Sequence, residues 1–373
     1  MKRFFYKLAL FLIPIILVYL PPFIILKGSK ENFMNINSIL NGNKNYLIGY
    51  AYNENNYAYL KWKTINIKPK YETIALGSSR VLQFRKEMFK SSFYNAGYTI
   101  SKINDFINFI HSLPIEKYPR YLILGLDQWM FNLNWDESVK IRLKDYWKNS
   151  FSYFPRSSIY LSVYKDLLKG KYGMNVIYNN SPVMEIGLNS IINNTGFRND
   201  GSMYYGKQIY KLINKDKSAN DYEFEDTYSR IKDGNKRFEY GNIISQQALV
   251  ELDKMLKYCK LNDIKIVGFI PPFANSVYNK LMESEKYIYL NRLSKYLIPL
   301  FNKYNYEFYY YPSGESCNST DKDFIDGFHG GEVVYSRILI DMLKNNSILN
   351  EVASKSHLES DIQNRNNRFL IYK

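Results

Sequence analysis

The sequence predicts an α/β protein: a three-layer α/β/α sandwich on a parallel, doubly wound sheet, behind one N-terminal transmembrane helix. Three observations lead there. Short apolar runs of strand length alternate along the chain with amphipathic segments of helical period, the pattern of βαβ units. Several of those runs end at small or polar residues, as at Gly77-Ser78-Ser79, Asn95-Ala96-Gly97 and Gly125-Leu126-Asp127. An uncharged apolar run, residues 8–26, follows Lys2, Arg3 and Lys7.

The apolar run is about the twenty residues that a helix needs to cross a bilayer. Pro14, Pro21 and Pro22 kink such a helix without forbidding a span. It ends Phe23-Ile24-Ile25-Leu26-Lys27, which lacks the small residues of a signal-peptidase site. Residues 1–27 are therefore expected to be an uncleaved anchor in the bacterial cytoplasmic membrane, held in the bilayer through residues 8–26. The basic N-terminus predicts a cytoplasmic start and a domain on the extracytoplasmic side. Residues 28–70 are polar and Asn-rich, and read as a stalk.

The domain is expected over residues 71–345. Its first strand, Tyr71-Glu72-Thr73-Ile74-Ala75-Leu76, runs into Gly77-Ser78-Ser79-Arg80. A small-residue turn there, leading into a helix, lies at the carboxyl edge of a parallel sheet, where open α/β sheets place their sites. Backbone N–H groups and a helix N-terminus at that turn suit an oxyanion. An ordinary Ser N-cap has the same pattern. Phe93-Tyr94-Asn95-Ala96-Gly97-Tyr98 is the second strand. An amphipathic helix carrying His111 follows, and then the apolar strand Tyr121-Leu122-Ile123-Leu124-Gly125.

Residues 130–241 read as an insertion rich in aromatics, among them Trp135, Tyr146, Trp147, Tyr153, Tyr160 and Tyr164. Tyr is common throughout the chain, so packing accounts for most of them. Arg198 and Asp200 sit in a turn-dense loop and are expected substrate contacts, as is Arg80. The α/β pattern then resumes: a helix over 244–262, a buried strand over 264–272, a helix over 275–301, a strand over 306–311 and a helix over 330–344. Residues 346–373 read as a polar, mobile tail.

Composition narrows the chemistry. The 373 residues carry a net charge of +15, but the lysines are spread along the chain. Solvated faces explain them better than a nucleic-acid surface, and no nucleic-acid partner is expected. Two cysteines, Cys259 and Cys317, make no disulfide framework, and their pairing is left open. With three scattered histidines they show no zinc-ligand spacing, so neither metal nor cofactor is expected. A histidine-dependent reaction must use His111, His329 or His357. Asp326-Gly327-Phe328-His329 puts a carboxylate three residues before the imidazole, in a Gly-flanked loop between a strand and a helix. That spacing can set the carboxylate against Nδ1. A helix cap by Asp326 is the alternative.

Gly77-Ser78-Ser79, Asn95-Ala96-Gly97, Gly125-Leu126-Asp127 and Asp326-Gly327-Phe328-His329 fall in the order of the four blocks of the SGNH (GDSL-like) hydrolase superfamily. The chain most resembles its membrane-anchored branch, which includes alginate O-acetylation proteins and the D-alanyl transfer protein of teichoic-acid modification. The resemblance implies Ser79 as nucleophile, His329 as base and Asp326 as its orienting acid. It implies an oxyanion hole from Ser79, Gly97 and the third-block position. That position is normally Asn and is here Asp127; an ionised Asp only accepts, so either Asp127 is protonated, or it binds acceptor hydroxyls instead, or the third donor comes from elsewhere, with Arg80 a candidate. The function implied is O-acyl transfer, acetyl above all, to a cell-envelope or extracellular polysaccharide, with a membrane-bound O-acyltransferase as partner. A glycan O-acetyl esterase and a non-catalytic scaffold are the alternatives.

Overall fold

The computed structural model describes residues 1–31, 36–42, 44–149, 157–178 and 183–372. It contains two compact units. One comprises Tyr57–Ser150, Asp200–Ser202 and Gln208–Lys373; the other comprises Met1–Asn56, Phe151–Asn199 and Met203–Lys207. The described strands are β1 (Tyr46–Ile48), β2 (Thr73–Leu76), β3 (Phe93–Ala96), β4 (Tyr121–Gly125), β5 (Met184–Ile186), β6 (Thr195–Phe197), β7 (Met203–Tyr205), β8 (Lys265–Ile270) and β9 (Glu307–Tyr310).

The larger unit is mixed α/β around a five-stranded sheet ordered β3-β2-β4-β8-β9, every pair parallel. Strands buried on both faces must be apolar throughout. Tyr121, Leu122, Ile123 and Leu124 are accordingly inaccessible to solvent, as are Leu76 and Phe269. Each such Leu or Phe contributes roughly 2 kcal/mol by burial. The chain steps from β2 to β3 on one side, then returns to place β4 on the other side of β2. That reversal puts a crevice at the carboxyl end of β2. Register aligns Leu76 with Ala96 and with Leu124, so the three turns that follow leave the sheet along one edge.

Four elements differ from the sequence expectation. The turn after β2 makes only one 3-10 turn, Ser79–Val81, and no α-helix. Asn95 is the reason: its side-chain amide donates to the carbonyls of Val81 (2.7 Å) and Phe84 (3.0 Å), acceptors that a continuing helix would use. The helix expected over 275–301 is Asn275–Glu283, a 3-10 segment Ile288–Arg292 and Leu293–Asn302, interrupted where Glu285 takes a φ of 52°. The segment expected as a stalk includes β1 and a helix, Asn56–Ile67. The expected mobile tail is packed. It forms the helix Lys355–Gln363 and buries Leu358, Phe369, Leu370 and Ile371, apolar residues scattered among its polar ones. Trp135, Tyr146 and Trp147 pack with the core of this unit. Cys259 and Cys317 are buried free thiols, and burial pushes both up to about 12.

The smaller unit holds a four-stranded sheet, β5-β1-β6-β7, parallel at β1–β5 and antiparallel elsewhere. Its helix Lys2–Gly28 is 27 residues long, and among the described residues it is the one helix long and apolar enough to cross a membrane. Ile25 and Leu26 are buried against Val163 and Leu188, whereas residues such as Phe11, Leu17 and Val18 stand bare. Tyr19 meets Tyr160 edge-on at 5.4 Å, and Tyr164 donates its hydroxyl to the carbonyl of Val18, so both tyrosines serve packing. Tyr153 lies outside the described residues. The Glu31 carboxylate just past the helix accepts the N–H groups of Ala51, Tyr52 and Leu188; burial outweighs those bonds and raises it to about 7.

Candidate active site

Three turns and one loop build the site in the larger unit. Val81 seats the first turn on the sheet. A Cβ on Gly125 would stand 2.2 Å from its Cγ1, and one on Gly97 would stand 2.8 Å from its Cγ2. Glycine at these two positions is therefore a requirement of close approach. The Ser78 hydroxyl accepts the N–H of Arg80 and caps the 3-10 turn. Ser79 is thereby left partly exposed at the carboxyl end of β2.

The loop after the last strand delivers the other two groups. Phe324 and Gly330 form an antiparallel bridge that closes it. Inside, Asp326 Oδ1 accepts the N–H groups of Phe328 (3.0 Å) and His329 (2.8 Å), while Oδ2 faces His329 Nδ1 at 2.7 Å. His329 Nε2 then meets Ser79 Oγ at 2.8 Å. Carboxylate, imidazole and hydroxyl form one continuous hydrogen-bonded path. Burial alone would raise Asp326; the facing His329 ring and the two amides outweigh it and hold the carboxyl below its ordinary value. The other histidines stand in different settings. His111 lies edge-on to Tyr258, and exposed His357 pairs with Asp361 at 3.4 Å.

The remaining predicted residues fall unevenly. Asp127 is completely buried, and among the described residues neither carboxyl oxygen meets a donor at hydrogen-bond geometry; Arg80 Nη1 stands 3.7 Å from Oδ1. Burial pushes its carboxyl up, against the pull of Arg80, the Ser78 hydroxyl, Arg237 and His329. The Gly97 N–H donates to Asn95 Oδ1 at 2.9 Å, because the other end of that amide is fixed on Val81 and Phe84. Arg80 is buried, and its guanidinium donates to the carbonyls of Phe328 (2.9 Å) and Pro271 (2.7 Å) and to Gln128 Oε1, which ties the Ser79 turn to the His329 loop. Asp200 is likewise buried, accepting from Arg85 Nε (3.2 Å), the Lys86 N–H and Ser202. Burial opposes its charge, but Arg85 and Ser202 prevail and hold it low. Arg198 belongs to the smaller unit, where it lies over the Tyr204 ring and donates weakly to the Met203 carbonyl.

Two supports were missed in the sequence. Asn95 organises the Ser79 turn as described. Asp221 accepts the Gly327 N–H at 3.0 Å and holds the His329 loop from outside; its own φ is 53°, and Glu223 and Phe224 are also left-handed. Such strained backbone persists only where surrounding contacts over-determine it. No regular period marks either residue. Compared with known proteins, the chain matches no family model, no curated protein and no solved structure.

Proposed function

We propose that the protein is a membrane-anchored serine acyltransferase of SGNH type, its parallel sheet the centre of a three-layer sandwich, acting on a cell-envelope polysaccharide. The observation that carries this is the Asp326–His329–Ser79 path, with separations of 2.7 and 2.8 Å, at a sheet edge where the strand order reverses. In the proposed reaction Ser79 Oγ attacks the carbonyl carbon of an acyl ester as its proton passes to His329 Nε2. Asp326 stabilises the imidazolium. His329 returns the proton to the departing oxygen, leaving an acyl-serine. A sugar hydroxyl then takes the acyl group, with His329 as base; water in its place makes the protein an esterase. The apolar N-terminal helix favours transfer beside a membrane. It suits an acyl supply from a membrane-bound O-acyltransferase and a domain on the extracytoplasmic face.

A fluorophosphonate probe tests the nucleophile. It is expected to label the full-length protein in detergent, and Ser79→Ala is expected to abolish labelling and acetyl-ester hydrolysis while Ser78→Ala retains both. Labelling that survives Ser79→Ala rejects the assignment. Acyl transfer to candidate polysaccharides, against release to water, separates transferase from esterase.

A further inference from the structure

With Ser79 as the acyl-accepting nucleophile, on which this inference rests, the attack places a negative charge on the former carbonyl oxygen. The groups expected to receive it are mostly engaged. Gly97 gives its N–H to Asn95. Arg80 is buried and spends its guanidinium on Phe328, Gln128 and Pro271. Asp127 has no exposed surface with which to meet a substrate. Only the Ser79 N–H is left without an acceptor among the described residues. One backbone donor is a thin oxyanion hole, because each preorganised donor is worth a factor of roughly 100–1,000 in rate.

Arg237 is half-buried, and its guanidinium lies 5.6 Å from the centre of the Trp129 ring. Among the described residues it makes no hydrogen bond or ion pair through that guanidinium; only its backbone N–H is engaged, on Glu239 Oε1. Trp129 meets Phe328 edge-on at 6.2 Å, and the Phe328 ring lies 4.4 Å from that of His329. Arg237 is thus two rings away from the triad imidazole.

Its backbone is also set for display. Lys236 and Arg237 have φ values of 52° and 81°, a conformation that side chains other than glycine rarely adopt. Phe238, next along, is buried against Phe328 and Phe273 at 5.7 and 5.9 Å. The Tyr287 hydroxyl contacts the carbonyls of both Ile231 and Phe238, at 2.9 and 2.8 Å. The loop is pegged and braced at its far end, so it presents a cation on a fixed support rather than a mobile one. A half-desolvated guanidinium on strained backbone, without a hydrogen bond among the described residues, two rings from the triad imidazole and pulling on Asp127 through space, has the makings of preorganised charge stabilisation.

We propose that Arg237 is the side-chain donor of the oxyanion hole, standing in for the amide that Asp127 replaces. As Ser79 Oγ bonds to the carbonyl carbon, the π electrons move to oxygen, and Arg237 N–H groups and the Ser79 N–H receive that oxygen. On collapse the electrons return, the ester C–O bond breaks, and the alcohol leaves with the proton from His329.

The test uses the full-length protein in detergent with 4-nitrophenyl acetate. Arg237→Gln is expected to lower kcat about 100-fold with KM little changed. Arg237→Ala is expected to behave alike, and millimolar guanidinium chloride to restore part of its kcat but none of the loss in Ser79→Ala. Arg237→Lys is expected to fall between. A kcat within twofold of wild type in Arg237→Gln overturns the proposal, as does a change confined to KM, which would make Arg237 a binding group only. A loss without guanidinium rescue in Arg237→Ala, accompanied by a lowered melting temperature in all three variants, also overturns it, because that marks a structural role. Fluorophosphonate labelling keeps the two levels apart. A wild-type protein that labels at Ser79 while Arg237 proves dispensable rejects this assignment alone; a wild-type protein that neither labels nor hydrolyses rejects the acyl-serine chemistry with it.

Discussion

Asp127 carries a buried carboxyl with no donor at hydrogen-bond geometry among the described residues, and that makes it a titration experiment in itself. Its folded pKa is raised by burial, so the fold favours the protonated form. Its contribution is fully present below the ordinary carboxyl value near 4 and is lost as pH rises through the folded value. Asp127→Asn is therefore expected to be more stable than wild type at neutral and alkaline pH and nearly equal to it at pH 4, as measured by urea midpoints across that range. Because Asp127 is fully buried, the same variant is expected to keep acetyl-ester hydrolysis within a few-fold and to flatten any alkaline loss. A steep fall in hydrolysis would place Asp127 in the reaction itself. At this scale the sequence singled out the three residues of the hydrogen-bonded path, because histidine is scarce and Asp326 lies three residues from one. It did not show Asn95, whose side chain acts on residues of another turn, or Arg237, whose loop has no period.

Among the elements, the segment after the Ser79 turn and the helix that follows the His329 loop are clamped by one arginine. Arg85 pairs with Glu332 at 2.7 Å and with Asp200 at 3.2 Å, both carboxylates buried. The second oxygen of Glu332 accepts the N–H groups of Ile371 and Tyr372, so the C-terminal segment is fastened to the start of the helix Glu332–Lys344. Arg85→Met leaves two carboxylates buried without their cation and is expected to cost about 3–5 kcal/mol, read from denaturant midpoints. Asn95→Ala strands the carbonyl of Phe84, leaves that of Val81 with the Phe84 N–H alone, and is expected to cost about 1–3 kcal/mol. It should also slow fluorophosphonate labelling of Ser79. Strands were legible because burial on both faces writes itself as unbroken apolar runs. The 3-10 stop after Ser79 was not, because a distant amide side chain ends it. The packed tail was not, because its apolar residues are too few and too scattered to show a period.

For the whole molecule, the sequence indicated a parallel α/β sheet and an apolar N-terminal helix, both of which the structure contains. It divided the chain into consecutive segments, whereas each compact unit is assembled from three separate stretches. A linear pattern of hydropathy cannot announce which distant stretches share a core. If residues 8–26 anchor the protein, it is expected to stay in the membrane fraction after high-salt and carbonate washes, with its N-terminal residues retained. A mature N-terminus mapped near Gly28 would show a secreted protein instead.

The 250 residues that separate Ser79 from His329 also set a schedule for biosynthesis. At about 5–20 residues per second, His329 is made roughly 10 to 50 s after Ser79. Throughout that interval the serine is an ordinary hydroxyl with no base to activate it. The clamp on Glu332 closes later still, with Ile371 and Tyr372. On the proposed chemistry, a nascent or truncated chain would thereby be kept from attacking acyl esters on its way to the membrane. Reactivity would arrive only once nearly the whole polypeptide is present, a delay built in by chain order and needing no inhibitor.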